Sequence, residues 1–464
     1  MQRRDFLRNG SILAAVAGVG YPSGTLINDP DKKNKTAKNI IFMVSDGMSQ
    51  GTFSIAQTYM QRKFGNSTNW VTLYTENKVK RGLMDMASAN SIVTDSAAAS
   101  SSWGGGYRVS NGSLNIGLKG EEYIPIMQKM KAAGKAVGCV TTVPITHATP
   151  AGFCVSSKSR NSQPEIAEKY MQLKFDIMMG GGEEFFSAAK REDKKDLFSA
   201  YKTAGFQVVR NKTEMKAISA GTPVLGVFHE NGLPYTIDRE NNPDLKAKIP
   251  SLAEMTETAI NHMKGSQKGF MLQVEGGKVD WAAHGNDIGG LLHDQLDFDK
   301  AIKVAMDFAE MDKNTLVVIT TDHGNANPGM TSMVGASAKF DSLSGYTCSN
   351  EFLLNSFNNK TTDKDLITQI QERQGYILTS TEAKYLLLNY KGIVQEGIYN
   401  PRELPFHPLA EMQRIHNAVG WMSGDHSGDF VELCMYGPGS EGMPGFMKNT
   451  DMHTFLLNAA DVKV

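Results

Sequence analysis

Four apolar runs of strand length, each ending in an acid or a histidine, constrain this chain more than any other feature. Asn39-Ile40-Ile41-Phe42-Met43-Val44 stops at Ser45-Asp46-Gly47, and Gly269-Phe270-Met271-Leu272-Gln273-Val274 stops at Glu275-Gly276-Gly277. Leu316 to Thr320 stops at Thr321-Asp322-His323-Gly324, and Ala136 to Thr141 leads through a proline turn to His147-Ala148-Thr149-Pro150. A run that is apolar throughout, rather than alternating, is the pattern of a strand buried on both faces. Helical patterns lie between the runs, at Ile124 to Ala133, Glu165 to Leu173, Leu252 to Met263 and Gly289 to Met311. This alternation predicts an α/β fold, a doubly wound and mostly parallel central sheet with helices on both faces. Ligands of such sheets bind beyond the carboxyl ends of the strands, so these acids and histidines are expected along one edge.

The 464 residues are 41% hydrophobic and 21% charged, with a formal net charge of −1. No field of one sign points to a nucleic-acid partner. Residues 1–20 pair Arg3 and Arg4 with Phe6 and Leu7 and continue into a short run of small apolar residues, the pattern of a twin-arginine export signal with Ala15-Val16-Ala17 as cleavage site. That run is too short for a stable membrane anchor, which needs roughly 20 apolar residues. Residues 21–38 are polar and read as a linker. Residues 39–464 then read as a single domain with an insertion at about 329–420 near the site, or with a small independent domain there. Met179-Gly180-Gly181-Gly182-Glu183 is a glycine triplet that could cradle phosphate or simply turn tightly. Cys139, Cys154, Cys348 and Cys434 are too widely spaced for a thiolate zinc site, and one or two disulfides remain open to them.

Ile92-Val93-Thr94-Asp95-Ser96-Ala97-Ala98-Ala99-Ser100 reads as a strand-to-helix corner with Ser96 at the helix start. A hydroxyl there meets unpaired amides and the positive end of the helix dipole, which suits a phosphate. The plainer reading is a capped, alanine-rich helix, and on the residues alone the reactive hydroxyl is Thr94 or Ser96. Asp280 and His284 stand at i and i+4, so on a helix they share one face. With Asp322, His323 and His426 they make a mixed nitrogen and oxygen set that favours zinc, enough for two ions. Asp46, Thr149 and Glu275 offer only oxygen and suit magnesium. A hydroxyl beside paired metals points to phosphoryl transfer.

With these motifs in order along residues 40 to 440, the chain resembles the alkaline phosphatases, metal-dependent phosphomonoesterases. The resemblance implies that Ser96 is the nucleophile and is transiently phosphorylated, and that Arg160 clamps the phosphate. It implies two Zn2+, one held by Asp46, Asp322 and His323 and the other by Asp280, His284 and His426, and one Mg2+ held by Asp46, Thr149 and Glu275. His147 stands near the magnesium site where some members have Asp, and Trp281 where many have Lys or His, so their roles are left open. Small phosphomonoesters as substrates, inorganic phosphate as product, and a periplasmic or secreted location follow from this reading. A homodimer rests on fold analogy alone. A phosphodiesterase or sulfatase of the same superfamily and a noncatalytic phosphate binder are the alternatives.

Overall fold

The computed structural model describes residues 36–358, 360–389 and 404–463. The expected export signal at 1–20 and residues 21–35 of the expected linker lie outside the described residues. Strands β1 (Asn39–Val44), β2 (Lys80–Asp85), β3 (Ala136–Pro144), β4 (Ile177–Gly181), β5 (Gln207–Val209), β6 (Val224–Val227), β7 (Phe270–Glu275), β8 (Thr315–Thr320), β9 (Val431–Tyr436) and β10 (Phe446–Lys448) build one ten-stranded sheet. Their order is β10-β2-β9-β8-β1-β7-β3-β4-β6-β5. β9 runs antiparallel to β2 and β8, and every other neighbouring pair is parallel. The doubly wound, mostly parallel sheet expected from the sequence is therefore present.

The four runs with acidic or histidine ends occupy adjacent positions, β8-β1-β7-β3, and all run the same way. Val44 lies opposite both Glu275 and Thr320, and Thr141 opposite Glu275, so the four carboxyl ends finish nearly level. Both sheet faces are dry. Ile41, Met43, Leu272 and Val317 join the core on one face, and Ile40, Phe42, Met271 and Leu316 join that on the other. Each such side chain contributes about 1.5–3 kcal/mol on burial, which is why these strands read as unbroken apolar runs.

Among the helices around the sheet are α1 (Ser96–Gly104), α2 (Ala148–Cys154), α3 (Leu252–Met263), α4 (Lys278–His284) and α5 (Ile288–Asp312). α3 matches its sequence pattern and starts in a capping box between Ser251 and Glu254. The buried polar side chains of α5 receive the first amides of other helices. Asp294 accepts from Thr236 N (2.9 Å), Asp297 from Leu252 N (3.0 Å), and Asp299 from Asn69 N (2.8 Å) and Trp70 N (2.9 Å). A carboxylate at a helix N-terminus satisfies orphan donors and opposes the dipole, so α5 fixes where those helices begin.

The corner before Ser96 departs from expectation. The helix does begin at Ser96, with Asp95 as its cap (Ala98 N to Asp95 Oδ1, 2.9 Å), but the lead-in is a loop. Ile92 is 85% exposed: two apolar residues between polar ones cannot cover both faces of a strand. The alanines and serines have a packing purpose. α1 is buried along its whole length and crosses α2 so closely that a Cβ on Gly104 would lie 1.9 Å from the Gly152 carbonyl oxygen.

Gly329–Met330 pairs antiparallel with Val419–Gly420, joining the two ends of the expected insertion. Between them, buried residues such as Phe340, Leu353, Leu366 and Phe406 merge with the core of one sheet face. Residues 390–403 of this segment lie outside the described residues. The four cysteines are buried free thiols. No helix among the described residues is long and apolar enough to cross a membrane.

Because a backbone carbonyl cannot rotate aside, Gly104→Ala is expected to destabilise the protein by about 1–3 kcal/mol. Urea denaturation should show a lower midpoint; an unchanged midpoint would contradict the α1–α2 contact.

Candidate active site

Thr94, Asp95 and Ser96 each hold a different part of the site. The Thr94 carbonyl accepts from His426 Nδ1 at 3.0 Å. The second carboxylate oxygen of Asp95 accepts from Gly112 N at 2.9 Å and from Arg160 Nη1 at 3.0 Å. Ser96, 1% exposed, places its Oγ 3.2 Å from His323 Nε2. Arg160 is thus drawn to the start of α1, and its Nη2 donates to His147 Nε2 at 3.1 Å.

The histidines are aimed by backbone oxygens. Carbonyls only accept, so His284 Nδ1 must donate to Gly424 O (2.7 Å) and His426 Nδ1 to Thr94 O. Both Nε2 lone pairs then face inward, 3.0 Å apart, with Asp280 oxygens 3.4 and 3.5 Å away. Two lone pairs at that distance are held together by a proton or a metal ion, and a hydrogen-bonded Nδ1 is the usual partner shell of a metal-bound imidazole. His323 stacks on His426 with ring centroids 3.7 Å apart, and its Nε2 lies 3.2 Å from Asp322 and 3.6 Å from Asp46.

Among the described residues, three groups have candidate ligand atoms all within 4.8 Å of one another: Asp280, His284 and His426; Asp46, Asp280 and His323; and Asp46, His147 and Glu275. Thr149 Oγ1 donates to Asp46 at 3.3 Å, which places it beside the third group. One oxygen each of Asp46, Glu275 and Asp322 is buried without a hydrogen-bond partner, as is His147 Nδ1. Since Arg160 donates to His147 Nε2, a neutral His147 carries its proton on Nδ1. That Nδ1 is then a buried donor without a partner.

Electrostatics repeat the point. Burial pushes Asp46 well above the ordinary carboxylate range, and the charges of Asp322, Asp280 and Glu275 push the same way. Burial likewise raises Glu275 to about 7, against the hydrogen bond from Thr141, and Asp322 to about 6, against the Gly47 amide. Burial also acts on Asp280, but the imidazoles of His284 and His426 outweigh it and hold this acid well below its usual range. Burial and the neighbouring His426 drive His323 well below the ordinary imidazole value, and burial with Arg160 takes His147 to about 3. Buried acids short of partners, beside the imidazoles of His323 and His147 that burial keeps neutral, fit divalent cations.

Every site residue named from the sequence lies in this constellation. Ser96, Arg160, Asp280, Trp281, His284 and His426 line one cavity of about 490 Å³, and the Trp281 ring lies 6.0 Å from that of His147. Sequence reasoning missed the supporting bonds. Thr141 Oγ1 donates to Glu275, Cys139 Sγ to Gln273 Oε1 (3.0 Å), and Gln273 Nε2 to the Thr149 carbonyl (3.0 Å). Their one visible signal is polarity inside otherwise apolar strands.

The alkaline phosphatase family model matches residues 37–462. The chain belongs to the alkaline phosphatase family. It is 31% identical to alkaline phosphatase 3 of Bacillus subtilis over 472 residues, covering 98% of this chain and 96% of that one. With alkaline phosphatase 4 of the same organism it shares 31% over 434 residues, 90% of this chain and 88% of that one. The crystal structure of Thermus thermophilus alkaline phosphatase matches the fold with a TM-score of 0.87 at 31% identity, covering 97% of this chain and 96% of that one. This alkaline phosphatase is a phosphomonoester hydrolase with clustered metal-binding acids and histidines, which sets aside the diesterase, sulfatase and noncatalytic readings.

A cation that binds only the folded site stabilises it in proportion to the logarithm of its concentration over Kd, about 4 kcal/mol at a thousandfold excess. Chelator-treated protein is expected to melt several degrees higher after zinc and magnesium are restored, measured by calorimetry. Identical melting with and without the ions would remove the metal reading.

Proposed function

We propose that this alkaline phosphatase works through a phosphoserine on Ser96, at a centre of two zinc ions and one magnesium ion. The observation that carries the reading is Ser96 Oγ, at the start of buried α1, meeting His323 Nε2 at 3.2 Å in a cavity shared with Arg160, His284 and His426. Asp280, His284 and His426 would hold one zinc, and Asp46, Asp322 and His323 the other. Asp46, Thr149 and Glu275, with His147 beside them, would offer an oxygen set suited to magnesium. Bound there, the ions supply the positive charge that activates a serine hydroxyl near neutral pH and offsets charge on the leaving oxygen.

Ser96 Oγ attacks phosphorus in line with the ester oxygen. As the Oγ–P bond forms, the P–O bond to the alcohol breaks and the alcohol leaves with a proton. Arg160, anchored by Asp95, presents its remaining N–H groups to two nonbridging oxygens, a pairing that the planar guanidinium makes with good geometry. The first amides of α1 add their dipole to the same charge. A water then attacks from the opposite side, the Oγ–P bond breaks, Ser96 recovers its proton and phosphate departs. Two in-line displacements retain configuration at phosphorus.

We also read Arg3 and Arg4 as directing export by the twin-arginine route, which moves folded proteins and would carry the chain with its ions in place. Trp281 borders the cavity, with Lys278 Nζ 4.8 Å from its ring centre. It adds no charge beside the phosphate.

Ser96→Ala should abolish acid-stable labelling of the protein by radioactive phosphate and lower kcat on the order of a thousandfold or more. Retained labelling with an unchanged rate would sink the assignment of the nucleophile. Trp281→Lys should tighten inhibition by inorganic phosphate roughly fivefold through an added partly exposed charge. Equal inhibition constants would count against that placement.

A further inference from the structure

The glycine triplet that closes β4 does not cradle phosphate. β4 lies beside β3, so its carboxyl end opens on the same edge as Ser96. Gly182, at φ +101°, turns the chain into Glu183–Phe185, and a Cβ on Gly181 would lie 1.9 Å from the Asn231 carbonyl oxygen. The amides that a cradle needs are spent: Gly182 N donates to His229 O and Asn231 O, Glu183 N to His229 O (3.0 Å), and Glu184 N to Glu230 O (3.2 Å). Two acids follow the turn, where a phosphate cradle would be left cationic or neutral.

The turn does something else: it holds Glu184 in the lining of the same 490 Å³ cavity that contains Ser96, Arg160 and Trp281. The neighbouring acids are neutralised on the outside, Glu183 by Arg210 at 2.7 Å and Glu230 by Lys190. Glu184 makes no ion pair within 4 Å among the described residues, although the charge of Lys190 reaches it. A carboxylate in the substrate cavity repels the phosphoryl group, so its counterpart has to lie on the alcohol. The indole of Trp281 in the same lining already carries Lys278 Nζ 4.8 Å from its ring centre, so the group of that lining left to attract a cation is the Glu184 carboxylate.

We infer that Glu184 selects phosphate monoesters whose alcohol carries a cationic nitrogen, as in amino alcohol or aminated sugar esters. This rests on the assignment of the Ser96 cavity to monoester hydrolysis. Glu184 acts on the leaving group and Arg160 on the phosphate, so the two charges divide the substrate between them.

The test compares kcat/KM for phosphocholine with that for 3,3-dimethylbutyl phosphate, its neutral isostere, in metal-loaded enzyme. The ratio within each enzyme cancels differences in active fraction. Glu184→Gln is expected to lower the ratio about fivefold, chiefly through KM, and Glu184→Lys to lower it further. The effect should shrink at high salt, as for any partly exposed charge. Ratios equal to the wild-type value in both variants would overturn the inference while leaving the monoesterase reading intact. Wild-type enzyme that turns over neither ester would overturn both.

Discussion

Asp46, Glu275, Asp280 and Asp322 are buried close together, and none of the four pairs with a lysine or arginine among the described residues. Like charges at about 4 Å repel by roughly 4 kcal/mol at an effective dielectric of 20, so such a group is stable only with protons or cations in it. A fold that places these acids so must fix them by other means. The adjacent parallel strands β8-β1-β7 do this for three of them, because the register sets Val44 level with Thr320 and Glu275, and Asp46 and Asp322 each follow two residues later, while α4, which follows β7, carries Asp280.

The buried acids of α5 make an instructive contrast. Both oxygens of Asp299 are met by donors from Asn69 and Trp70, and both oxygens of Asp287, its cap, by the amides of Gly290 and Glu351. These carboxylates are buried as Asp46 is, Asp287 fully and Asp299 nearly so, yet their acceptors are satisfied and their task is to start helices. In Asp46, Glu275 and Asp322 one oxygen each stays unmatched. Burial therefore does not separate structural from functional acids in this molecule, whereas the unmatched oxygen largely does. Asp297, which meets the first amide of α3, and Glu351 also keep one unmatched oxygen each and mark the limit of that criterion.

Much of the site was legible in the sequence because its residues end strands. A long apolar run stopping at Asp46, Glu275 or Asp322 announces both the strand and the edge on which the acid stands. The Asp280 and His284 spacing reads as one helix face, and α4 bears it out. Features built by contact alone were not legible. Ile92-Val93 looks like the tail of a strand but borders a loop, since nothing local records that it lacks neighbours. The alanines after Ser96 look like plain helix formers, and only the approach of Gly152 to Gly104 makes small side chains necessary. The glycine triplet was ambiguous because its spent amides depend on residues 229–231, far along the chain.

Thr94-Asp95-Ser96 joins these layers. Through one carbonyl, one carboxylate and one hydroxyl, three consecutive residues reach His426, Arg160 and His323. The proposed nucleophile, phosphate clamp and ligands of both zinc sites are thus referred to the same short backbone segment, and that segment is the capped start of a helix wedged against α2, which carries Thr149. A small shift of α1 would therefore not simply move Ser96. It would turn His426 and Arg160 with it, which explains why the contact behind the nucleophile is built from glycine, alanine and serine, side chains with almost no rotamers to rearrange.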